Sequence, residues 1–281
     1  MDRTSLSASD STRSDSTRSG AAADATPANG HGAVRTPRLA SAAVSTPIRA
    51  VLFDFGGTLF DYADLAGGQL ESLEVFAREV GIAAGASDLA RAHRAATASA
   101  YRDYLPRPYY LHRDFFADAI RGTATVLGKE IADEQVERWF VIQHERRARD
   151  FRLRPGVTET LRALRERGLH LGIVSNIDED DLHHLIDRGE LREHFDSLLS
   201  SEAAGSCKPD QRIFAQALER AGCTPGEALF VGDSLPADVA GANQAGMRSV
   251  LLWHRDDKRP PADGPQPRHV IRAIPDLLGL V

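Results

Sequence analysis

The sequence predicts an α/β protein with a doubly wound, parallel-sheet (Rossmann-like) core into which an α-helical cap domain is inserted. First, from Arg49 onward short runs rich in Val, Ile and Leu alternate with helical patterns, as expected when parallel strands are buried on both faces. Second, the helical stretches of this part end at glycines able to take the left-handed conformation that closes a helix. Third, strand signals vanish between Asp61 and about Phe151, where helical periodicity takes over.

In chain order, strands are expected at Ala50 to Phe53, Leu169 to Val174, Ser197 to Leu199, Ala228 to Val231 and Ser249 to Leu252, with a weaker one near His269 to Ile271. Helices are expected at Thr158 to Arg167 before Gly168, Asp210 to Ala221 before Gly222, and Pro236 to Ala245 before Gly246. Within the interruption, Leu70, Leu73, Phe76 and Val80 share one helix face, and Val136, Trp139 and Phe140 another, so several helices can bury a small core of their own. The loop Leu105 to Arg113, with Tyr109, Tyr110 and His112, is either a recognition loop over the site or an aromatic-anchored helix connection. The expected domains are therefore a disordered tail at 1–47, a core at 48–61 and 151–281, and a cap at 62–150.

Residues 1–47 repeat Ser, Thr, Ala, Asp and Arg without apolar periodicity, the composition of a solvated tail. A net charge of −6 argues against a nucleic-acid binder, which needs a basic face, and no run approaches the roughly 20 apolar residues of a membrane span. Cys207 and Cys223 form neither a disulfide framework nor a metal cluster, so both read as free thiols in a reducing, cytoplasmic setting. A monomer or homodimer is expected.

Four segments at strand ends hold the parts for phosphoryl transfer. In the first, FDFGGTL, Asp54 stands at the sheet's carboxyl edge while Gly56 and Gly57 let the backbone turn beneath an anion. The second, VSN, supplies the Ser175 hydroxyl and, with Asn176, groups to hold phosphoryl oxygen. The third, KPD, sets Lys208 before a helix N-terminus, where backbone N–H groups also attract anions; only Lys129 and Lys258 accompany it in an arginine-rich chain. The fourth, GDSLPAD, offers Asp233 and Asp238, hard oxygen donors of the kind Mg²⁺ takes. Each segment alone fits a turn, a helix cap or a surface charge; their joint order at strand ends makes coincidence improbable.

These four motifs resemble those of the haloacid dehalogenase-like superfamily, and the match runs from Arg49 to Val281 with the cap at the C1 position. The resemblance implies a Mg²⁺-dependent hydrolase, most simply a phosphatase of a small phosphorylated metabolite. It implies that Asp54 is the nucleophile, Ser175, Asn176, Lys208 and Gly57 engage the phosphoryl group, and Thr58 supports the first motif. It also implies that Asp54, the Gly56 carbonyl and Asp233 hold the metal, with Asp238 at or just behind it.

The family's phosphatases carry a second aspartate, serving as acid and base, where this chain has Gly56. General acid–base help is worth ~10²–10⁴-fold, so its loss points to a slow enzyme or to substrates with good leaving groups, unless Tyr109, His112 or a water substitutes. A 2-haloacid dehalogenase, or a phosphate-binding protein with impaired catalysis, are the alternatives. The intact Asp233 and Asp238 favour phosphate chemistry over the former, and joint retention of nucleophile, lysine and metal carboxylates favours an enzyme over the latter. The family's phosphonoacetaldehyde hydrolases use an early cap lysine, and none occurs between Asp61 and Gly128. His93, His144, His183 and His184 read as structural, and Glu145 to Arg149 as a solvated helix face.

Overall fold

Six short strands hydrogen-bond in parallel in the order β3-β2-β1-β4-β5-β6 in a computed structural model that describes residues 46–61, 63–254 and 261–281. The strands are β1 (Ala50–Phe53), β2 (His170–Ser175), β3 (Ser197–Ser200), β4 (Ala228–Gly232), β5 (Arg248–Leu252) and β6 (His269–Ile271). The tail expected at 1–47 falls almost wholly outside the described residues.

Alternation along each strand sorts side chains to two buried layers. On one face Val51, Phe53, Leu171, Ile173, Leu229, Val231, Val250 and Leu252 pack with residues of α5 (Val157–Glu166) and α6 (Glu179–Arg188). On the other, Leu52, Val174 and Phe230 meet Ile213, Phe214 and Ala217 of α8 (Gln211–Ala221), which follows the short α7 (Ser201–Ala204). Covered faces explain why the strands read as apolar runs, since neither side meets water.

Between β1 and α5 lie four helices, α1 (Ala63–Val80), α2 (Ala86–Tyr104), α3 (His112–Val126) and α4 (Asp133–Asp150). Leu73, Phe76 and Val80 of α1 bury against Ile120 of α3 and Val136, Trp139 and Ile142 of α4, forming the insertion's own core. Phe140 is only partly buried there, and Leu70 faces a cavity instead.

The helix expected at Pro236 to Ala245 divides into a π-helical turn, Leu235–Val239, and α9 (Ala240–Gln244). The wide turn arises because the Asp238 and Val239 N–H groups both donate to the Ser234 carbonyl, at 2.9 and 3.1 Å, and it carries Asp238 inward. Among the described residues, no helix is long and apolar enough to cross a membrane.

Candidate active site

β1 is flanked by β2 and β4, so the carboxyl end of β1 opens at the point where the strand order reverses, the crevice in which doubly wound sheets collect ligands. Asp54 follows β1, and its N–H donates to the Val231 carbonyl at 2.8 Å, holding it in register with β4. Its carboxylate is 7% exposed and fixed through both oxygens. Thr58 Oγ1 donates to Oδ2 at 2.9 Å, while Ser175 Oγ and Lys208 Nζ donate to Oδ1 at 3.2 and 2.7 Å.

Lys208 Nζ also lies 2.8 Å from Asp238 Oδ1. Burial acts to lower the lysine's pKa, but the adjacent Asp238 and Asp54 outweigh it and hold the ammonium above its ordinary value. The backbone of Lys208 is clamped by Asn176, whose Oδ1 accepts the Lys208 N–H at 2.7 Å and whose Nδ2 donates to the Lys208 carbonyl at 3.0 Å. Asn176, expected at the phosphoryl group, thus uses its amide to fix the lysine segment.

Asp233 emerges after β4 and packs on Gly57, where an added Cβ would lie 2.4 Å from Asp233 Oδ2. Gly57 also has φ +87°, so glycine is required twice over. Burial, then the charges of Asp54 and Asp238, push Asp233 up to about 7. Asp238 is likewise raised, chiefly by burial, with Lys208 opposing.

One oxygen from each of Asp54, Asp233 and Asp238 lies within 4.8 Å of the others. Three carboxylates, two buried and Asp233 half-buried, against one ammonium leave an excess of negative charge among hard oxygen donors, which fits a divalent cation such as Mg²⁺. Within the cluster Asp54 and Asp238 share the Lys208 ammonium, and Asp238 also accepts the Ser234 N–H at 2.9 Å.

Contacts between segments distant in the chain were not legible locally. Arg154 donates to the Gly57 carbonyl from Nη2 at 2.8 Å and so braces the first motif. Asp178, after β2, accepts the N–H groups of His112 and Arg113 at 2.7 and 2.6 Å, capping α3 from across the cleft. The Cys207 N–H donates to the Pro108 carbonyl at 2.8 Å, tying the lysine segment to the Leu105 to Arg113 loop. From that loop Tyr110 and His112 reach the cavity. Burial, with Arg147 and Lys208 nearby, depresses His112 to about 4, and burial raises Tyr110 to about 12.

The four histidines read as structural make contacts of that kind: His93 bonds with Gln69 and Thr123, His183 with Glu179, and His184 stacks on His144 at 3.9 Å between ring centroids. The run Glu145 to Arg149 is not wholly solvated, because Arg146 is buried and Arg147 pairs with Asp181 at 2.9 Å. The cavity above Asp54 has a volume of about 790 Å³ and extends into the insertion.

The family model described as haloacid dehalogenase-like hydrolase matches residues 48–246. Haloacid dehalogenase-like hydrolase domain-containing protein 3 of Bos taurus is 41% identical over 124 residues, 44% of this chain and 49% of that protein. The chain thus spans about half the length of that curated relative. Ribulose-1,5-bisphosphate 5-phosphatase of Halopiger xanaduensis is 30% identical over 216 residues, 72% of this chain and 84% of that protein. In fold the chain is similar to the HAD phosphatase from Thermococcus onnurineus, at TM-score 0.63 and 24% identity, covering 83% and 97% of the two chains. Dehalogenases are also among the solved structures sharing the fold, so fold alone does not separate the two chemistries.

Proposed function

The chain belongs to the haloacid dehalogenase-like hydrolase family, and we propose that it is a Mg²⁺-dependent phosphatase of a small phosphorylated metabolite with Asp54 as nucleophile. The observation that supports this reading is the cluster of Asp54 and Asp238, both buried and paired with the single ammonium of Lys208, with the half-buried Asp233. Displacement of halide from carbon gains nothing from three clustered carboxylates. A phosphoryl group, itself anionic, needs a divalent cation to approach Asp54, and the cluster has the charge and oxygen donors to hold one.

When bound, Mg²⁺ supplies charge neutralisation between the carboxylates and the phosphoryl oxygens, held by Asp54, Asp233 and the Gly56 carbonyl with Asp238 alongside. Asp54, oriented by Thr58, attacks phosphorus as the P–O bond to the leaving group breaks, so that the alcohol departs as its alkoxide and an aspartyl-phosphate forms. Lys208 and Ser175, already directed at the attacking carboxylate, stabilise charge on the equatorial oxygens. Water then cleaves the acyl phosphate and frees Asp54. Position 56 offers no side chain for proton transfer, which favours leaving groups that depart readily as anions. The insertion acts as a cap that excludes bulk water, with Asp178 and Cys207 as its points of attachment to the core.

The similarity to a ribulose-1,5-bisphosphate 5-phosphatase supports testing phosphorylated sugars first. The test is phosphate release from a panel of phosphomonoesters with and without Mg²⁺. Metal-dependent release, lost on chelation and restored by added Mg²⁺, is expected. Chelator-insensitive halide release from a 2-haloacid would replace this reading with a dehalogenase, and no release from any ester would leave a silent phosphate binder.

A further inference from the structure

Among the described residues that the insertion contributes to the cavity wall there are three arginines, Arg94, Arg146 and Arg147, and no carboxylate. The insertion has many acidic residues, so this selection is specific to the wall. Asp181 of the core neutralises Arg147 at 2.9 Å. Arg146 is different: it is 5% exposed, and its hydrogen-bonding capacity is largely unspent. Nη1 donates to Gln69 Oε1 and Gln143 Oε1 at the long distances of 3.3 and 3.5 Å, and Nε is 3.5 Å from Asp150 Oδ2. Neither Nε nor Nη2 makes a hydrogen bond, and Gln143 Nε2 makes none either.

Every one of these unpaired atoms is a donor. Leaving a buried donor unpaired costs about 1–3 kcal/mol, more for a charged group, so three together on one cavity wall are not an incidental feature of packing. The chain also makes room for them: a Cβ at position 68 would lie 2.1 Å from Arg146 Nε, so Gly68 allows the guanidinium to lie against α1. Burial lowers the pKa of Arg146 despite the neighbouring Asp150, as expected of a cation that is incompletely compensated.

We propose that Arg146, with Gln143 and Gln69, forms a second anion subsite in the insertion, and that the substrate carries a carboxylate or second phosphate distal to the reacting phosphoryl group. A planar fork flanked by amide donors suits either group. The same cavity is also lined by Phe116 and Phe151, an apolar surface suited to a ring-shaped spacer. The inference rests on the phosphatase reading only for the placement of the first phosphoryl group at Asp54.

The test measures binding and turnover separately. With Mg²⁺ present, 4-carbamoylbenzylphosphonate, 4-carboxybenzylphosphonate and 1,4-xylylenediphosphonate are titrated calorimetrically into the full chain and into Arg146→Gln. At least one ligand with the second anion should bind about tenfold or more tightly than the neutral carbamoyl ligand, the size of one charge-assisted hydrogen bond. That preference should largely disappear in Arg146→Gln. A stronger response to the diphosphonate assigns a phosphate, and to the carboxylate a carboxylic acid. Should Arg146→Gln not fold, Arg146→Lys keeps the charge but loses the fork, and the preference should still fall. Equal affinities in the wild type, no binding of any ligand, or a preference that survives the substitution would overturn the proposal. Turnover of 4-nitrophenyl phosphate is read alongside. Anion preference without turnover sinks the phosphatase and keeps the subsite, whereas turnover without preference does the reverse.

Discussion

Lys208 Nζ sits 2.8 Å from Asp238 Oδ1, and each of these side chains is only 2% exposed. The pair has left water entirely, and removing one partner of such a pair costs about 3–5 kcal/mol because the other charge stays buried alone. Asp54 shares the same ammonium at 2.7 Å. Lys208→Met should therefore lower unfolding free energy by an amount of that order and reduce turnover by at least ~10²-fold, the usual effect of losing a preorganised charge donor. Denaturant melts and steady-state kinetics at 25 °C check both. Activity within tenfold of wild type would show that Lys208 serves stability alone.

Asp54→Asn removes the nucleophile while leaving one oxygen to accept from Thr58 or from Ser175, which in the wild type donate to different oxygens of the carboxylate. Phosphate release should drop to background with an unchanged far-ultraviolet dichroism spectrum, because no acyl phosphate can form on an amide. Substantial release from a clean preparation would mean another nucleophile acts.

Gly57→Ala introduces two conflicts, a Cβ 2.4 Å from Asp233 Oδ2 and a side chain at φ +87°. The left-handed conformation alone costs about 1 kcal/mol or more for a residue with a side chain. The carboxylate must also move, so the Mg²⁺ concentration for half-maximal activity should rise severalfold. A metal requirement identical to wild type would argue that Asp233 is not a ligand.

His112 gives a pH dependence with a definite sign. Its pKa falls from 6.5 in the unfolded chain to about 4 in the fold, so between these values the unfolded chain binds the proton more strongly. Its contribution to stability is complete above pH 6.5 and is lost as pH falls toward 4, by up to about 3 kcal/mol. Unfolding free energy measured from pH 7.5 to 4.5 should decline less steeply in His112→Gln than in wild type. Parallel curves would show that the imidazole is better solvated than its burial implies.

Asp178→Ala deletes the acceptor for the first two N–H groups of α3. Loss of a helix cap costs about 0.5–2 kcal/mol, and because this cap crosses from core to insertion, KM should rise more than kcat falls. The opposite split would place Asp178 in the chemical step.

Much of this protein was determined by the sequence alone, because the signals are local. Alternation of apolar runs and helical stretches marked the strands, since burial on both faces demands apolar residues at every position. The placing of Asp54, Ser175 and Asp233 at strand ends followed, since parallel strands all deliver their carboxyl ends to one edge. Lys208 was expected at a strand end too, but it reaches that edge from the loop after α7, which separates it from β3. What only the tertiary structure decided depends on approach between distant residues. Asn176 reads as a phosphate ligand until Lys208, 32 residues on, is seen to occupy its amide. Asp238 reads alone as an exposed helix charge until the π-helical turn draws it inward to Lys208 and the carboxylate cluster. Arg146 reads as one more solvated arginine in a basic run, because periodicity records which face of a helix a residue occupies but not what the next helix leaves room for. Gly68 leaves that room, and the resulting burial turns an apparent surface charge into a cavity-lining guanidinium whose Nε and Nη2 make no hydrogen bond.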